Sequence, residues 1–313
     1  MEYKNLDEIV EALKVYTGRP EDIVLRGKVV NVFIAFKALE PLLTRTEGQG
    51  DITTFLLNNI SVPAILNTKV QGMLRRKTLQ ILRNYWPEGK PLCYVLVQAK
   101  KGKGEIKGYC GACPSCLIYG YAVQEERTYN VKSRVEGDVY YGTIPEEEAT
   151  FEFTRNAVDE ITHTTGQALL TERAVKPGVI FIGKMALRNL TPSELKLVLY
   201  TLASLDRLGA VQTHFGRIKP IILGLIGAHY EIGSGYEIVS QILADGLKEE
   251  DKILAKAREL IKEVGAKYGG TTVVQEALED IVLKADIKTI CDEAWKDAQK
   301  KKKELDEVSG VSK

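Results

Sequence analysis

The stretch Cys110-Gly-Ala-Cys113-Pro-Ser-Cys116 puts three thiols within seven residues. A CxxCxxC run holds thiolates at a spacing that wraps a metal ion, and Gly111 and Pro114 supply the tight turns. The chain has five cysteines, so three in one stretch is a strong concentration. The pattern points to structural zinc rather than to iron–sulfur or redox chemistry. A ferredoxin-type cluster needs a further cysteine followed closely by proline, and Leu117-Ile118-Tyr119-Gly120 follows instead. The fourth ligand is expected to be Cys93, with His163 or His214 as substitutes, because a thiolate-rich site is soft and closed, as structural zinc sites are. Cys291, within IKTICDEAW, reads as a core residue.

Cations form the second set. Lys69, Arg75, Arg76 and Lys77 crowd the start and middle of TKVQGMLRRKTLQILR, residues 68–83. Cations at a helix start oppose the macrodipole, and a phosphate chain there would satisfy both the helix and the arginines. Gln212-Thr213-His214-Phe215-Gly216-Arg217-Ile218-Lys219 combines hydrogen-bonding groups, an aromatic ring and two cations, which suits a single-stranded backbone. Arg127, Lys132 and Arg134 are interleaved with Tyr129, Tyr140 and Tyr141, a further nucleic-acid pattern. Enzyme signals are sparse: the chain has no Walker A loop, no GxGxxG after a strand, no HExxH and no GxSxG. Asp51, between Gly48 and Gly50 on one side and a turn-rich run on the other, is the one acid that could serve metal-assisted phosphodiester cleavage.

These groups need a scaffold. The 313 residues suffice for a large core. A hydrophobic content of 44% and a charged content of 27% fit a soluble globular protein. Net charge is +1, so any nucleic-acid site depends on local segregation of charge. Clustered, odd-numbered cysteines and the lack of a signal-like N-terminus or membrane-length apolar run point to the reducing cytoplasm. Leu6, Ile9, Val10 and Leu13 mark a helix over 6–15, and KVVNVFIAFKALEPLL a long strand. Residues 44–62 read as an insertion or loop, 68–83 as a helix, and Cys93 onward as a short strand. FEFTR (151–155) and 178–190 read as strands. Thr191-Pro-Ser-Glu194 is a capping box opening a helix, and FGRIKPIILGLIGAHYEI (215–232) returns as a strand. From about 236 the chain reads as helical, with Lys300 to Lys303 in a solvated tail. This order predicts an α+β fold, a ferredoxin-like antiparallel sheet with insertions. The expected division is 1–99 for the first half of the palm, 100–148 for the metal insertion and an arm, 149–235 for the second palm half and 236–313 for a helical region.

Several segments together resemble the RAMP superfamily of CRISPR effector proteins, and within it the backbone subunit of type I-D interference complexes. PAILNTKVQGMLRR (63–76) resembles the family's P-x-I-P-G-S-S-L-K-G-x-L-R helix entry, with Leu66-Asn67-Thr68 in place of Pro-Gly-Ser. CGACPSCLIYGYA (110–122) resembles the type I-D CxxCPxCxxYGxA segment. Residues 151–183 resemble the run from the family's arm into the strand after E-x-V-x-P-G-x-x-F. LGAVQTHFGR (208–217) resembles the YGAxxTRxG loop, with His214 where arginine is usual, and Ser133-Arg134 resembles the S-R pair at the base of the arm. The resemblance spans roughly residues 25–230.

It implies an RRM-like palm with a thumb over 124–148, and copies stacked head to tail along a CRISPR RNA. Lys69, Arg75 and Arg76 would grip phosphate, assisted by Gln212, His214 and Arg217. The guide's base edges would read target DNA, leaving the protein sequence-independent. Other interference subunits would be partners. Asp51 falls where related type III subunits carry a target-cleaving aspartate, which makes a guide-directed nuclease the runner-up to binding alone. A zinc-stabilised interaction module without nucleic acid is the third reading.

Overall fold

Val29–Ala38 is buried along nearly its whole length, so this run is a central strand with both faces covered. It is β1 of a computed structural model that describes residues 2–44, 52–95, 108–122, 129–155, 161 and 170–310. Helix α1 (Leu6–Ala12) precedes it. A hairpin, β2 (Thr54–Leu57) and β3 (Ile60–Ile65), follows, and leads into α2 (Asn67–Arg83). Next come α3 (Pro114–Tyr119), β4 (Val135–Gly137), β5 (Tyr140–Gly142), α4 (Glu146–Ala149), β6 (Thr150–Arg155) and β7 (Leu170–Val175). The chain continues through β8 (Ile180–Arg188), α5 (Pro192–Ala203), β9 (Ile218–Ala228), α6 (Gly235–Ala244) and α7 (Glu250–Tyr268). It ends with β10 (Thr271–Val273), α8 (Leu278–Leu283) and α9 (Ile287–Ser309).

The main sheet runs β10-β9-β1-β8-β5-β3-β2, with β4 also paired to β8, and its pairings are antiparallel. Strand alternation divides β1 between two cores. Val30, Val32, Ile34 and Phe36 face α1, α2, α5, α8 and α9. Phe33 and Ala35 face Ile238, Val239 and Ile242 of α6 and Ile253, Ala257 and Ile261 of α7. The sheet is therefore a middle layer with helices on both sides. The capping box of α5 forms as the sequence predicts, with Pro192 in the first turn. None of the helices is long and apolar enough to cross a membrane, among the described residues.

The structure departs from the sequence reading in four places. Part of 44–62, read as a loop, forms β2 and the start of β3. Asn58 and Asn59 turn the hairpin at φ 48° and 62°, a left-handed pair that asparagine tolerates. Residues 93–95 form no strand and the rest of that run lies outside the described residues, while β4 and β5, within the segment assigned to the arm, pair with β8 in the main sheet. FEFTR, read as a palm strand, pairs only with β7 in a separate two-stranded ladder. The lysine-rich end is the last part of α9, and Lys301 is 5% exposed rather than solvated. Local composition could not reveal these placements, because each depends on which distant strand or helix supplies the partner.

Candidate metal centre and nucleic-acid interface

The cysteine segment folds on itself through sulfur. Cys113 N donates to Cys110 Sγ at 3.3 Å, and Cys116 N donates to Cys113 Sγ at 3.4 Å, capping α3. Gly111 takes φ 65° to make the first turn. Cys93 arrives from the segment after α2, where Arg83 Nη2 donates to its carbonyl at 2.8 Å. The sulfurs of Cys93, Cys110, Cys113 and Cys116 all lie within 4.8 Å of one another. Cys93 and Cys116 are 3.5 Å apart, and Cys110 and Cys116 are 4.0 Å apart. Four thiolates about 2.3 Å from a tetrahedral ion would sit about 3.8 Å from one another, so this donor set fits a four-coordinate thiophilic metal.

The thiols share protons as a group. Hydrogen bonding from Cys113 and Cys116 holds Cys110 far below the usual thiol range. Bonding to Cys110, together with burial, raises Cys113. A dication would remove this competition by accepting all four thiolates. Cys93 thus joins the other three in space. His214 lies exposed on another loop, His163 lies outside the described residues, and Cys291 is buried in the core of α9. The module is closed at two bases: Tyr94 N donates to Gly108 O at 2.7 Å, and Tyr121 and Val131 exchange backbone bonds at 2.9 and 3.0 Å.

Helix α2 lies between this module and the loop after α5. Leu66 occupies its N-cap position without a side-chain cap, and its first turn holds no acid, so the positive end of the helix is left uncompensated. Lys69 and Arg76 lie on the exposed ridge. Lys77 turns toward the loop side and pairs with Asp206 at 3.3 Å. Gln212 Nε2 reaches α2 at Met73 Sδ, 3.2 Å away, and also donates to Gly209 O at 3.0 Å. The basic helix and the 212–219 segment, far apart in sequence, are therefore neighbours.

The loop itself is braced from within. Arg207 Nη1 donates to Gln212 O and Phe215 O, both at 2.8 Å. Gly216 at φ 83° lets its N–H reach Pro41 O and its carbonyl accept from Leu208 N, each at 2.9 Å. His214, Arg217 and Lys219 are exposed along its edge. Phe215 meets Phe153 of β6 with ring centroids 5.6 Å apart, joining the two-stranded ladder to the loop. Arg207, Met73 and Phe153 carry no motif, and only the tertiary fold identifies them.

Other expected residues fall elsewhere. Arg75 points to the far flank of α2, with its guanidinium 4.0 Å from the Tyr109 ring centroid. Arg134 is 2% exposed and is no surface cation. Its guanidinium donates to both oxygens of Glu194, to Leu117 O at 3.0 Å and to Asn189 O at 2.9 Å. Those donors are engaged inside the protein, which corrects the expectation that Arg134 grips RNA. Lys132 is exposed but pairs with Glu136 at 3.1 Å. The tyrosines read beside these cations are packed: Tyr140 is fully buried, and Tyr129 donates to Asp306 of α9 at 2.7 Å. Arg127 and Asp51 lie outside the described residues.

Solved structures share this architecture. The crystal structure of Thermofilum pendens Csc2 aligns over 96% of each chain, with a TM-score of 0.69 and 24% identity. A chain of a CRISPR RNA-guided surveillance complex aligns over 86% of this chain and 98% of its own, with a TM-score of 0.56 and 10% identity. A chain of such a complex before nicking gives 0.54 at 9% identity, over 85% and 99%. At these identities the likeness is one of fold. No curated protein sequence matches the chain. The Csc2 CRISPR family model matches residues 14–309, nearly the entire sequence, which bears out the resemblance to CRISPR backbone proteins read from the motifs. The chain belongs to the Csc2 family of CRISPR proteins.

Proposed function

We propose that the chain binds CRISPR RNA by its sugar-phosphate backbone, as the repeated backbone subunit of a type I-D interference complex, and does not cleave it. The observation that carries this reading is the contact of Gln212 with Met73, which joins an uncapped basic helix to a polar, cationic loop. Lys69, Arg76 and Lys219 make no ion pair among the described residues, so their charge is available to phosphate. Strands and helices β1, α2, β5, β8, α5 and β9, with the sheet order β9-β1-β8-β5, match the ferredoxin-like plan and support an RRM-like palm. The β6–β7 ladder forms a sheet of its own and meets the loop through Phe153, which supports a projecting element beside the loop in addition to the arm expected over 124–148. Four clustered thiols support structural zinc and a reducing cytoplasm. Copies would stack head to tail beside other interference subunits, and guide bases facing outward would pair with target DNA.

The test is titration of the metal-loaded protein with unstructured oligouridine at several salt concentrations. Affinity should fall as salt rises, by counterion release. In the double variant Lys69→Glu with Arg76→Glu, the slope of log affinity against log salt should shrink by about 1.4, roughly 0.7 for each lost phosphate contact. Wild-type affinity that ignores salt, or a variant with an unchanged slope, would sink the reading.

A further inference from the structure

The flank of α2 opposite the loop is bound to the cysteine module at three levels. Arg75 stacks on Tyr109, the residue before Cys110, at 4.0 Å. One turn on, Thr78 Oγ1 and Tyr119 Oη share a hydrogen bond of 3.0 Å, and Tyr119 ends the helix that carries Cys116. Two turns on, Arg83 Nη2 donates to the carbonyl of Cys93 itself, with its guanidinium 5.8 Å from the Tyr94 ring centroid. Positions 75 and 78 lie about 60° apart on this side of a helix of 3.6 residues per turn, and Arg83, seven residues beyond Arg76 and on the same ridge, reaches the module from the last turn of the helix. Every contact lands on a cysteine, on its direct neighbour or on the short helix that a cysteine caps. Lys69 and Arg76 occupy the exposed ridge of the same helix, and adjacent residues such as Arg75 and Arg76 diverge by about 100°.

Arg75 is the sensitive member. Its Nε and Nη2 are buried without a hydrogen-bond partner among the described residues, and it makes no ion pair there. A half-buried cation with two orphaned donors stays in place only if something else holds it. Here that is the face of Tyr109, through a cation–π contact. If Tyr109 shifts, Arg75 loses the contact that holds its guanidinium among the described residues, and the strut between α2 and the module fails.

We propose that Tyr109 is a positioning residue that couples the metal centre to RNA binding, so that metal occupancy of the four cysteines and occupancy of the α2 groove by single-stranded RNA strengthen each other. This rests on the RNA-binding reading above. The cysteine module flanks α2 on one side and the 209–217 loop on the other, so that RNA would lie along the helix between them. With metal bound, the thiolates are drawn together and Tyr109 is fixed beside Arg75. Without it, no ion ties the four sulfurs together, the module loosens, and the ridge of α2 loses its fixed orientation. Coupling of this kind is reciprocal: RNA must raise metal affinity by the factor by which metal raises RNA affinity.

The experiment uses the full chain, unstructured oligouridine and zinc. Tyr109→Ala leaves all four thiols in place, so it should retain one metal ion yet bind RNA about two- to thirtyfold more weakly, the range of an exposed-to-buried cation–π contact. Tyr109→Phe keeps the ring and should restore wild-type affinity. Arg75→Ala added to Tyr109→Ala should weaken binding no further. RNA should lower the equilibrium occupancy of a competing zinc chelator with wild-type protein, and much less so with Tyr109→Ala. A merely structural Tyr109 would change melting temperature without changing this reciprocity. Additive effects of the two substitutions, or chelator competition that RNA leaves untouched, overturn the coupling while leaving RNA binding intact. Loaded wild-type protein that fails to bind oligouridine in a salt-dependent manner overturns the RNA reading itself, and the coupling with it.

Discussion

Lys301 donates to the carbonyl of Asp22 at 2.6 Å from inside the protein. Burial, reinforced by the Arg134 guanidinium, lowers its ammonium pKa from 10.5 to about 8. Below about pH 8 both folded and unfolded chains carry the proton, and the cost of burying the charge is fully present. Between about 8 and 10.5 the unfolded chain binds a proton that the folded chain has released, so this group makes stability rise with pH. Thermal unfolding of wild type and Lys301→Met at successive pH values should show the wild type gaining roughly 1–2 kcal/mol on the variant from pH 8 to 10, after discounting for partial solvent screening. Parallel curves would mean that the lysine titrates as if in water. The neighbouring Arg134–Glu194 pair shows why such residues mislead a sequence reading. Arginine beside tyrosines resembles a nucleic-acid contact, and its true partner lies 60 positions on, at the capping box of α5. The cysteine cluster was legible because its spacing is local. Cys93 was legible because few thiols were available to complete it.

Helices and strands with strong periodicity were readable for the same reason. β1, α2 and α5 carry their burial pattern within one segment, and the structure forms each over nearly the expected residues. The second strand of the palm was not readable. β4 and β5 are three residues each and gain their identity from β8, whose paired residues lie far along the chain, from Gly142↔Phe181 to Val135↔Leu187. The loop after α5 was recognisable by composition, but its shape depends on one position. A Cβ at Gly216 would lie 2.1 Å from Leu208 O, and φ is 83°. Gly216→Ala must therefore break the Leu208–Gly216 and Gly216–Pro41 backbone bonds or move the segment that bears His214 and Arg217. We expect oligouridine affinity to fall at least as far as in the Lys69→Glu, Arg76→Glu variant. The cost in folding should stay at about 1–3 kcal/mol, because the loop lies at the surface. Unchanged affinity, measured by the same salt titration, would remove the loop from the site.

At the scale of the whole molecule, the decisive fact is that both faces of the sheet are covered. An RNA-binding sheet of the RRM kind offers aromatic rings on an open face, where bases stack. Here the corresponding residues of β1, Phe33 and Ala35, are sealed beneath α6 and α7, which the sequence reading left outside the matched region. Net charge of +1 gives no general attraction to a polyanion either, so the proposed RNA binding depends on a local site. What remains is the opposite side, where α2 runs between the cysteine module and the 209–217 loop. Hydrogen exchange of the metal-loaded protein with and without oligouridine separates these surfaces. Bound RNA should slow exchange at residues 67–77 and 206–219, which carry the exposed Lys69, Arg76, His214, Arg217 and Lys219, and leave 235–268 unchanged. Protection spread over α6 and α7 with none on α2 would put the nucleic acid on the covered face, and would require those helices to leave the sheet before RNA could bind.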